Sequence, residues 1–360
     1  MPRSPKRRPA PPRPAAPAVF EADTLPGLEE FGAAEIAGRL GGRARFLRSE
    51  RPEELRFTYA GDPRALLALR SVVAVYRSLA FDVPRPKALL GHQHFERLAA
   101  AIEDVRALHS PGAFATLRVS AAGEDSAVLT RLKAELAARA GLQVADEEGD
   151  LLLRLRRSPD GPGWEVLVRI SPRPLATRPW RVCNMPGAPN ATLAHALAQL
   201  TGPSADDTVL NMCCGSGTLL VERLALTRAR AAIGCDIDPD ALDCARQNLA
   251  AAGLSRAARL ELWDATALPL PDASVSVLMA DLPFGQLVGS HRDNEVLYPR
   301  IVAEAARVAA PGARMVLLTH EVRLLERVAA EQRGSWELVR TVRVRSSGMT
   351  PRLFLFRRAG

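Results

Sequence analysis

The 360-residue chain has almost no lysine: of its 48 basic side chains, only Lys6, Lys87 and Lys133 are not arginine. No glycine turn is followed by a lysine of the Walker type, which argues against phosphoryl transfer from ATP. No run approaches the ~18 apolar residues that a membrane span requires. The five cysteines (Cys183, Cys213, Cys214, Cys235 and Cys244) contain no Cys-x-x-Cys pair. Their spacing points to neither a zinc ribbon nor a disulfide framework, and a reducing cytoplasm is expected. His92 and His94 have no third ligand nearby, so no metal is expected. Residues 1–17 hold seven prolines and no apolar stretch, which excludes a signal-peptide core or amphipathic transit helix there.

What remains is a folding composition, 47% apolar and 24% charged, long enough for two or three domains. The formal charge of +8 is uneven. Arg3, Lys6, Arg7, Arg8 and Arg13 put +5 into the proline-rich tail and leave the body near neutral. The overall charge is therefore weak evidence for a nucleic-acid partner. The tail is expected to be disordered and solvated.

Residues 18–86 predict the order β-α-β-β-α-β of a small ferredoxin-like unit, including a helix from Asp62 to about Val75. A second α+β unit follows over 87–172, with helices near Gln93–Ala107 and Ala127–Ala140. A Pro- and Arg-rich connector spans 173–189. From 190 to 360 strands and helices alternate, which predicts an α/β, Rossmann-like domain with a mainly parallel seven-stranded sheet. A helix is expected at Leu297–Val308, and strands near Trp336–Arg345 and Arg352–Arg357 are read as an antiparallel edge pair.

Three strand ends in this last region carry ligand chemistry. Asn211-Met212-Cys213-Cys214-Gly215-Ser216-Gly217 turns a buried strand into a helix, where small residues let a backbone approach a nucleoside. Asp236, 19 residues after Gly217 and followed by Ile237, is placed to accept two hydrogen bonds from a ribose diol. Asp264 and Ala265 close the third strand, where an adenine amine would lie. Leu220 stands where a dinucleotide fingerprint needs its last glycine, so an adenosine carrying a compact group is expected.

The fourth strand ends in Asp281-Leu282-Pro283-Phe284-Gly285, 64 residues after Gly217. This region resembles class I S-adenosylmethionine-dependent methyltransferases that act on amines. An exocyclic base amine is a poor nucleophile because its lone pair is delocalised into the ring. The resemblance implies that Asp281 and the carbonyl of Leu282 or Pro283 accept its two N–H groups, with Phe284 as a stacking platform. Together with Ser290-His291-Arg292-Asp293-Asn294, Leu297-Tyr298-Pro299 and the connector Arg173-Pro174-Leu175-Ala176-Thr177-Arg178-Pro179-Trp180-Arg181, the sequence is similar to the THUMP-domain tRNA guanosine-N2 methyltransferases.

That resemblance implies a THUMP RNA-binding module over 87–172, a tRNA partner held at its acceptor end, S-adenosylmethionine as cofactor, and a cytoplasmic monomer. It makes Asp281, Leu282, Pro283 and Phe284 the catalytic set. Thr192, Asn211, Cys214, Gly215, Ser216, Gly217, Asp236, Ile237, Asp264, Ala265 and Asp281 become the cofactor set. Arg118, Arg139, Arg178, Arg292, Arg343 and Arg345 are candidates for RNA contact, alongside Arg154 and Arg156. Asn211-Met212 departs from the family's Asp-Pro. Glu222 is open between a contact to the cofactor's methionine end and a solvated helix face. Guanosine in ribosomal RNA, adenine N6, or a non-catalytic RNA-binding role are the alternatives.

Overall fold

A computed structural model describes residues 18–284, 290–346 and 348–359. The basic tail and residues 285–289 lie outside these. The N-terminal unit runs β1 (Ala18–Asp23), α1 (Glu29–Leu40), β2 (Ala44–Phe46), β3 (Glu54–Tyr59) and β4 (Ala74–Phe81). The second unit runs α2 (His92–Arg106), β5 (Thr116–Ala121), α3 (Ala127–Ala140), β6 (Gln143–Val144), β7 (Leu151–Arg157) and β8 (Trp164–Arg169). The two units share one sheet. Antiparallel pairing of β4 with β8, from Tyr76↔Arg169 to Phe81↔Trp164, joins them in the order β2-β3-β1-β4-β8-β7-β5-β6.

Alternation along each strand sorts the side chains onto two faces. One face buries Phe20, Phe57, Leu79 and Val168 against Ile36 of α1, Ile102 of α2 and Leu132 of α3. Each such side chain contributes about 1.5–3 kcal/mol by leaving water. The other face is charged: Arg156 pairs with Glu165 (2.8 Å) and Glu54 (3.0 Å), and Arg56 pairs with Asp160 (2.8 Å) and Glu165 (3.3 Å). Arg154 pairs with Asp23 at 2.6 Å and lies 4.3 Å over the Tyr76 ring. Arg154 and Arg156, expected in a free basic surface, are spent inside this ladder.

The C-terminal unit begins with α4 (Ala191–Leu200), whose first turn is capped by the Asn190 side chain accepting from Thr192 N–H at 2.9 Å. It continues with β9 (Thr208–Met212), α5 (Thr218–Leu226), β10 (Ala231–Asp236), α6 (Pro239–Ala251), β11 (Arg259–Leu262) and β12 (Val275–Asp281). Then come α7 (His291–Val308), β13 (Ala309–Thr319), α8 (Val322–Glu331), β14 (Trp336–Arg343) and β15 (Arg352–Arg358). The sheet order is β11-β10-β9-β12-β13-β15-β14. The first five strands are parallel, β15 runs antiparallel beside β13, and β14 at the edge is antiparallel to β15 and so runs with the first five.

Three elements differ from the sequence reading. The helix expected from Asp62 is a short 3₁₀ segment, Pro63–Ala68, because the Glu35 carboxylate captures the N–H groups of Arg70 and Ser71 at 2.7–3.1 Å and pulls the chain out of helical register. α7 starts at His291 rather than Leu297. The Ser290–Asp293 capping box sets the start, and Pro299 is carried inside the helix. α8 was not expected at all. A disulfide also joins Cys183 to Cys244 (Cα–Cα 5.4 Å) across 61 residues, correcting the expectation of free thiols. The connector folds over α6 and brings together two cysteines that nothing in their spacing relates.

The junction is packed. Leu28, which caps α1, and Phe31 of α1 enter the same apolar cluster as Trp180, Leu193, Val342 and Val344. At Gly27 (φ 100°) an added Cβ would lie 1.9 Å from the Arg343 carbonyl oxygen, so backbone meets backbone there.

Candidate active site

The carboxyl ends of β9, β10, β11 and β12 lie side by side, and the turns leaving them build one cleft. The turn after β9 is held in unusual backbone geometry: Cys213 has φ 49° and Gly217 φ 74°. A Cβ on Gly217 would stand 3.0 Å from the Ala245 Cβ, so glycine there lets α5 close against α6. The Asp236 carboxylate organises the turn. Its Oδ2 accepts from Gly215 N–H at 2.8 Å and its Oδ1 from Asp238 N–H at 3.1 Å. Asp264 accepts from Thr266 N–H and Oγ1, both at 2.8 Å. Beside these carboxylates Ile237 and Leu262 are left 72% and 60% exposed. Two polar strand ends flanked by bare apolar side chains fit a sugar diol and a flat base, and Cys214, Gly215, Ser216 and Ala265 border them.

Two expected cofactor residues behave differently. Thr192 is fully buried and its hydroxyl faces the Val72 carbonyl at 3.4 Å, towards the N-terminal unit rather than the cleft. Asn211 is also fully buried. Its Nδ2 donates to the Met212 and Met279 carbonyls (3.1 and 3.2 Å), tying β9 to β12, while Oδ1 has no partner among the described residues. Free Cys213, Cys214 and Cys235 lie by the turn, and burial pushes all three thiols up, Cys235 to about 12. Protonated thiols are not nucleophiles, so these cysteines supply packing only.

Next to this cleft, β12 delivers Asp281 at its last position. Desolvation pushes this carboxyl from 3.8 up to about 8, and it has no hydrogen-bond partner among the described residues. Leu282 N–H donates to the Leu318 carbonyl at 2.9 Å, which fixes the turn to β13. The Pro283 carbonyl accepts from Asn294 Nδ2 (2.9 Å) and Tyr298 Oη (2.7 Å), both on one face of α7. Pro283 is therefore occupied, and of the two expected carbonyl acceptors only that of Leu282 is free among the described residues. Phe284 lies against His320, ring centroids 4.3 Å apart, and burial lowers the His320 imidazole.

Asn294, Tyr298 and His320 are site residues that the sequence reading gave no role. The four-residue spacing of Asn294 and Tyr298 on a helix could have signalled a shared target. His320 carries no such signal, because it meets Phe284 only through the pairing of β12 with β13.

The arginine candidates separate. Arg292, Arg343 and Arg345 are exposed and in no ion pair among the described residues. Arg118 donates to the Glu147 carbonyl, and Arg139 lies 3.7 Å from Glu96. Arg178 is 6% exposed and bound to Glu222, so it is removed from any surface role. Glu222 is neither solvated nor turned to the cleft; it is fully buried among cations.

Comparisons with known proteins agree with this architecture. Residues 178–352 match the family described as RMKL-like, methyltransferase domain. Among curated relatives, the Bos taurus tRNA (guanine(6)-N(2))-methyltransferase THUMP3 is 29% identical over 180 residues, covering 47% of this chain and 36% of that protein. The tRNA (guanine(6)-N2)-methyltransferase of Methanocaldococcus jannaschii is 24% identical over 253 residues, 59% of this chain and 65% of that protein. The chain thus spans about a third of the length of the first of these and just under two thirds of the second. The crystal structure of TrmN from Thermus thermophilus superposes with a TM-score of 0.72 at 25% identity, covering 95% of this chain and 99% of that one.

Proposed function

We propose that the protein transfers a methyl group from S-adenosylmethionine to the N2 amine of a guanosine in tRNA. One observation carries this reading: Asp281, a carboxylate with no partner among the described residues, stands beside the Leu282 carbonyl, free among the same residues, and an aromatic ring, one strand from the nucleoside cleft. The cofactor fits that cleft, with Asp236 toward the ribose, Asp264 toward the adenine, and Ile237 and Leu262 as apolar walls. When bound it supplies an activated methyl on a sulfonium, so the chain contributes alignment and charge.

Asp281 and the Leu282 carbonyl accept the two N–H groups of the guanine amine and return electron density to its nitrogen. Phe284, backed by His320, offers its ring to the base. Asn294 and Tyr298 keep the Pro283 carbonyl turned away, so that the Leu282 carbonyl faces the amine. Methyl transfer leaves an excess proton on the nitrogen. The Asp281 carboxylate, raised to about 8, is basic enough to receive it. The N-terminal units correspond to a ferredoxin-like and a THUMP module that hold the acceptor end of tRNA. Exposed Arg292, Arg343 and Arg345 border the catalytic mouth, and the protein works as a cytoplasmic monomer.

Nucleoside mass spectrometry tests the proposal. Purified protein, S-adenosylmethionine and either tRNA or ribosomal RNA are incubated and digested. N2-methylguanosine is expected from tRNA alone, and lost with Asp281→Ala while S-adenosylmethionine still binds by calorimetry. N6-methyladenosine as the product, or methylation confined to ribosomal RNA, would overturn it.

A further inference from the structure

The most highly charged buried point in the C-terminal unit lies outside the cleft. Glu222, in the middle of α5, accepts from Arg178 Nε at 2.8 Å and Arg70 Nη2 at 3.2 Å through Oε1. Through Oε2 it accepts from Arg70 Nε at 3.0 Å and bonds His195 Nδ1 at 2.8 Å. A carboxylate accepts and cannot donate, so Nδ1 is the protonated ring nitrogen of His195. Despite burial, these donors and charges hold Glu222 down at about 2.

Each partner comes from a different part of the chain. Arg178 is in the connector, His195 is on α4, and Arg70 leads into β4 of the N-terminal sheet. The Arg70 main chain is itself fixed from both sides. Its N–H is held by Glu35 of α1, and its carbonyl accepts from Arg178 Nη2 at 2.7 Å. Gln199 Nε2 adds a bond to Ser71 Oγ at 3.0 Å. One carboxylate therefore closes a chain of contacts from α1 to α5. Moreover, α5 is capped at its start by Gly217 of the nucleoside turn, five residues or about 7.5 Å of helix axis from Glu222.

We propose that the Arg70–Glu222–Arg178 node is a positioning device. It clamps the N-terminal sheet at a fixed distance from the reaction centre, so that an RNA held by one half presents its target amine to Asp281 on the other. The inference rests on the functional reading above for its consequence, but the clamp is measurable by itself. Arg70 is the point to cut. Its side chain is 25% exposed, and without it Glu222 keeps Arg178 and His195.

The test compares the full chain with Arg70→Gln and Arg70→Lys, each carrying spin labels at Asp125→Cys and Arg333→Cys, with singly substituted proteins as labelling controls. Arg70→Gln is expected to broaden the distance distribution between the halves. With bulk tRNA from a strain lacking the gene, kcat should fall about tenfold or more at saturating RNA, since a displacement near 1 Å can cost up to ~100-fold. The Kd values for S-adenosylmethionine and tRNA should stay within about twofold, and Arg70→Lys should recover part of the rate. An unchanged distance distribution overturns the clamp. A broadened distribution with unchanged kcat, or a kcat loss matched by weaker cofactor binding, overturns its positioning role. If the wild type methylates no tRNA yet Arg70→Gln still broadens the distribution, the clamp stands and the functional reading falls.

Discussion

Tyr298 offers the sharpest test of how the turn after β12 is held. Its hydroxyl lies 2.7 Å from both the Pro283 carbonyl and Thr319 Oγ1. The carbonyl can only accept, so Tyr298 donates to it, and the Thr319 hydroxyl must then donate to Tyr298 Oη. Thr319 Oγ1 in turn accepts from Glu321 N–H at 2.9 Å. The relay thus runs from the start of α8 through β13 to the turn. Tyr298→Phe removes two hydrogen bonds of about 0.5–1.5 kcal/mol each and strands the fully buried Thr319 hydroxyl, a loss of about 2 kcal/mol. For a unit of this size, melting should fall by about 4–8 °C. Asn294→Ala leaves the same carbonyl with one donor, as Tyr298→Phe does, whereas the double variant leaves it bare. The double loss should exceed the sum of the singles by about 1 kcal/mol in urea titrations. With the turn loosened, kcat should fall while S-adenosylmethionine affinity holds. A Tyr298→Phe protein that melts and turns over like the wild type would refute the relay, and strict additivity would refute the shared carbonyl.

Two further outcomes follow from the same geometry. Asp281 must be ionised to receive the proton that methyl transfer releases, and in the free enzyme burial raises it to about 8. Hence kcat/KM should climb with pH through about 8 and level off above it, and Asp281→Asn should flatten that limb. The folded state also binds this proton more tightly than the unfolded chain does, so the stability it contributes is complete below about 4 and lost as pH rises through about 8. The gap between Asp281→Asn and wild type should therefore shift in favour of the variant between pH 5 and pH 9 in melts. At the junction, Gly27→Ala forces a Cβ to within 1.9 Å of the Arg343 carbonyl at φ 100°. Overlap and strain cost about 1–3 kcal/mol each, so calorimetry should show a clear drop in melting temperature with cofactor affinity intact. A melt like the wild type would mean that the two halves do not meet there.

What the sequence disclosed follows a physical division between local and distant causes. Strand alternation, the β9–α5 turn, and carboxylates at strand ends are local patterns, and each expected cleft residue from Gly215 to Asp264 lies along that edge. α8 was equally local: Leu324, Leu325 and Val328 are buried at helical spacing between charged residues, and the pattern was available to be read. Other features had no local trace. Arg70 and Glu222 are 152 residues apart, and an arginine in a basic connector looks the same whether it faces RNA or a buried acid. The fold brings Arg70 and Arg178 onto Glu222 of α5, and that contact turns Arg178 inward. The resemblance to a known family read the connector as a junction and drew Arg178 to the surface, because basic residues near RNA-binding modules invite that assignment. Burial decides otherwise here: Glu222 has no solvent to share its charge, so it recruits the cations within reach. The same reasoning explains the charged face of the N-terminal sheet, where Arg154 and Arg156 answer to Asp23, Glu21, Glu54 and Glu165 rather than to phosphate. Any RNA grip must therefore be built from cations that these acids leave unpaired. Among the described residues those include the exposed Arg292, Arg343 and Arg345, two of which sit on or just beyond the strand that meets Gly27.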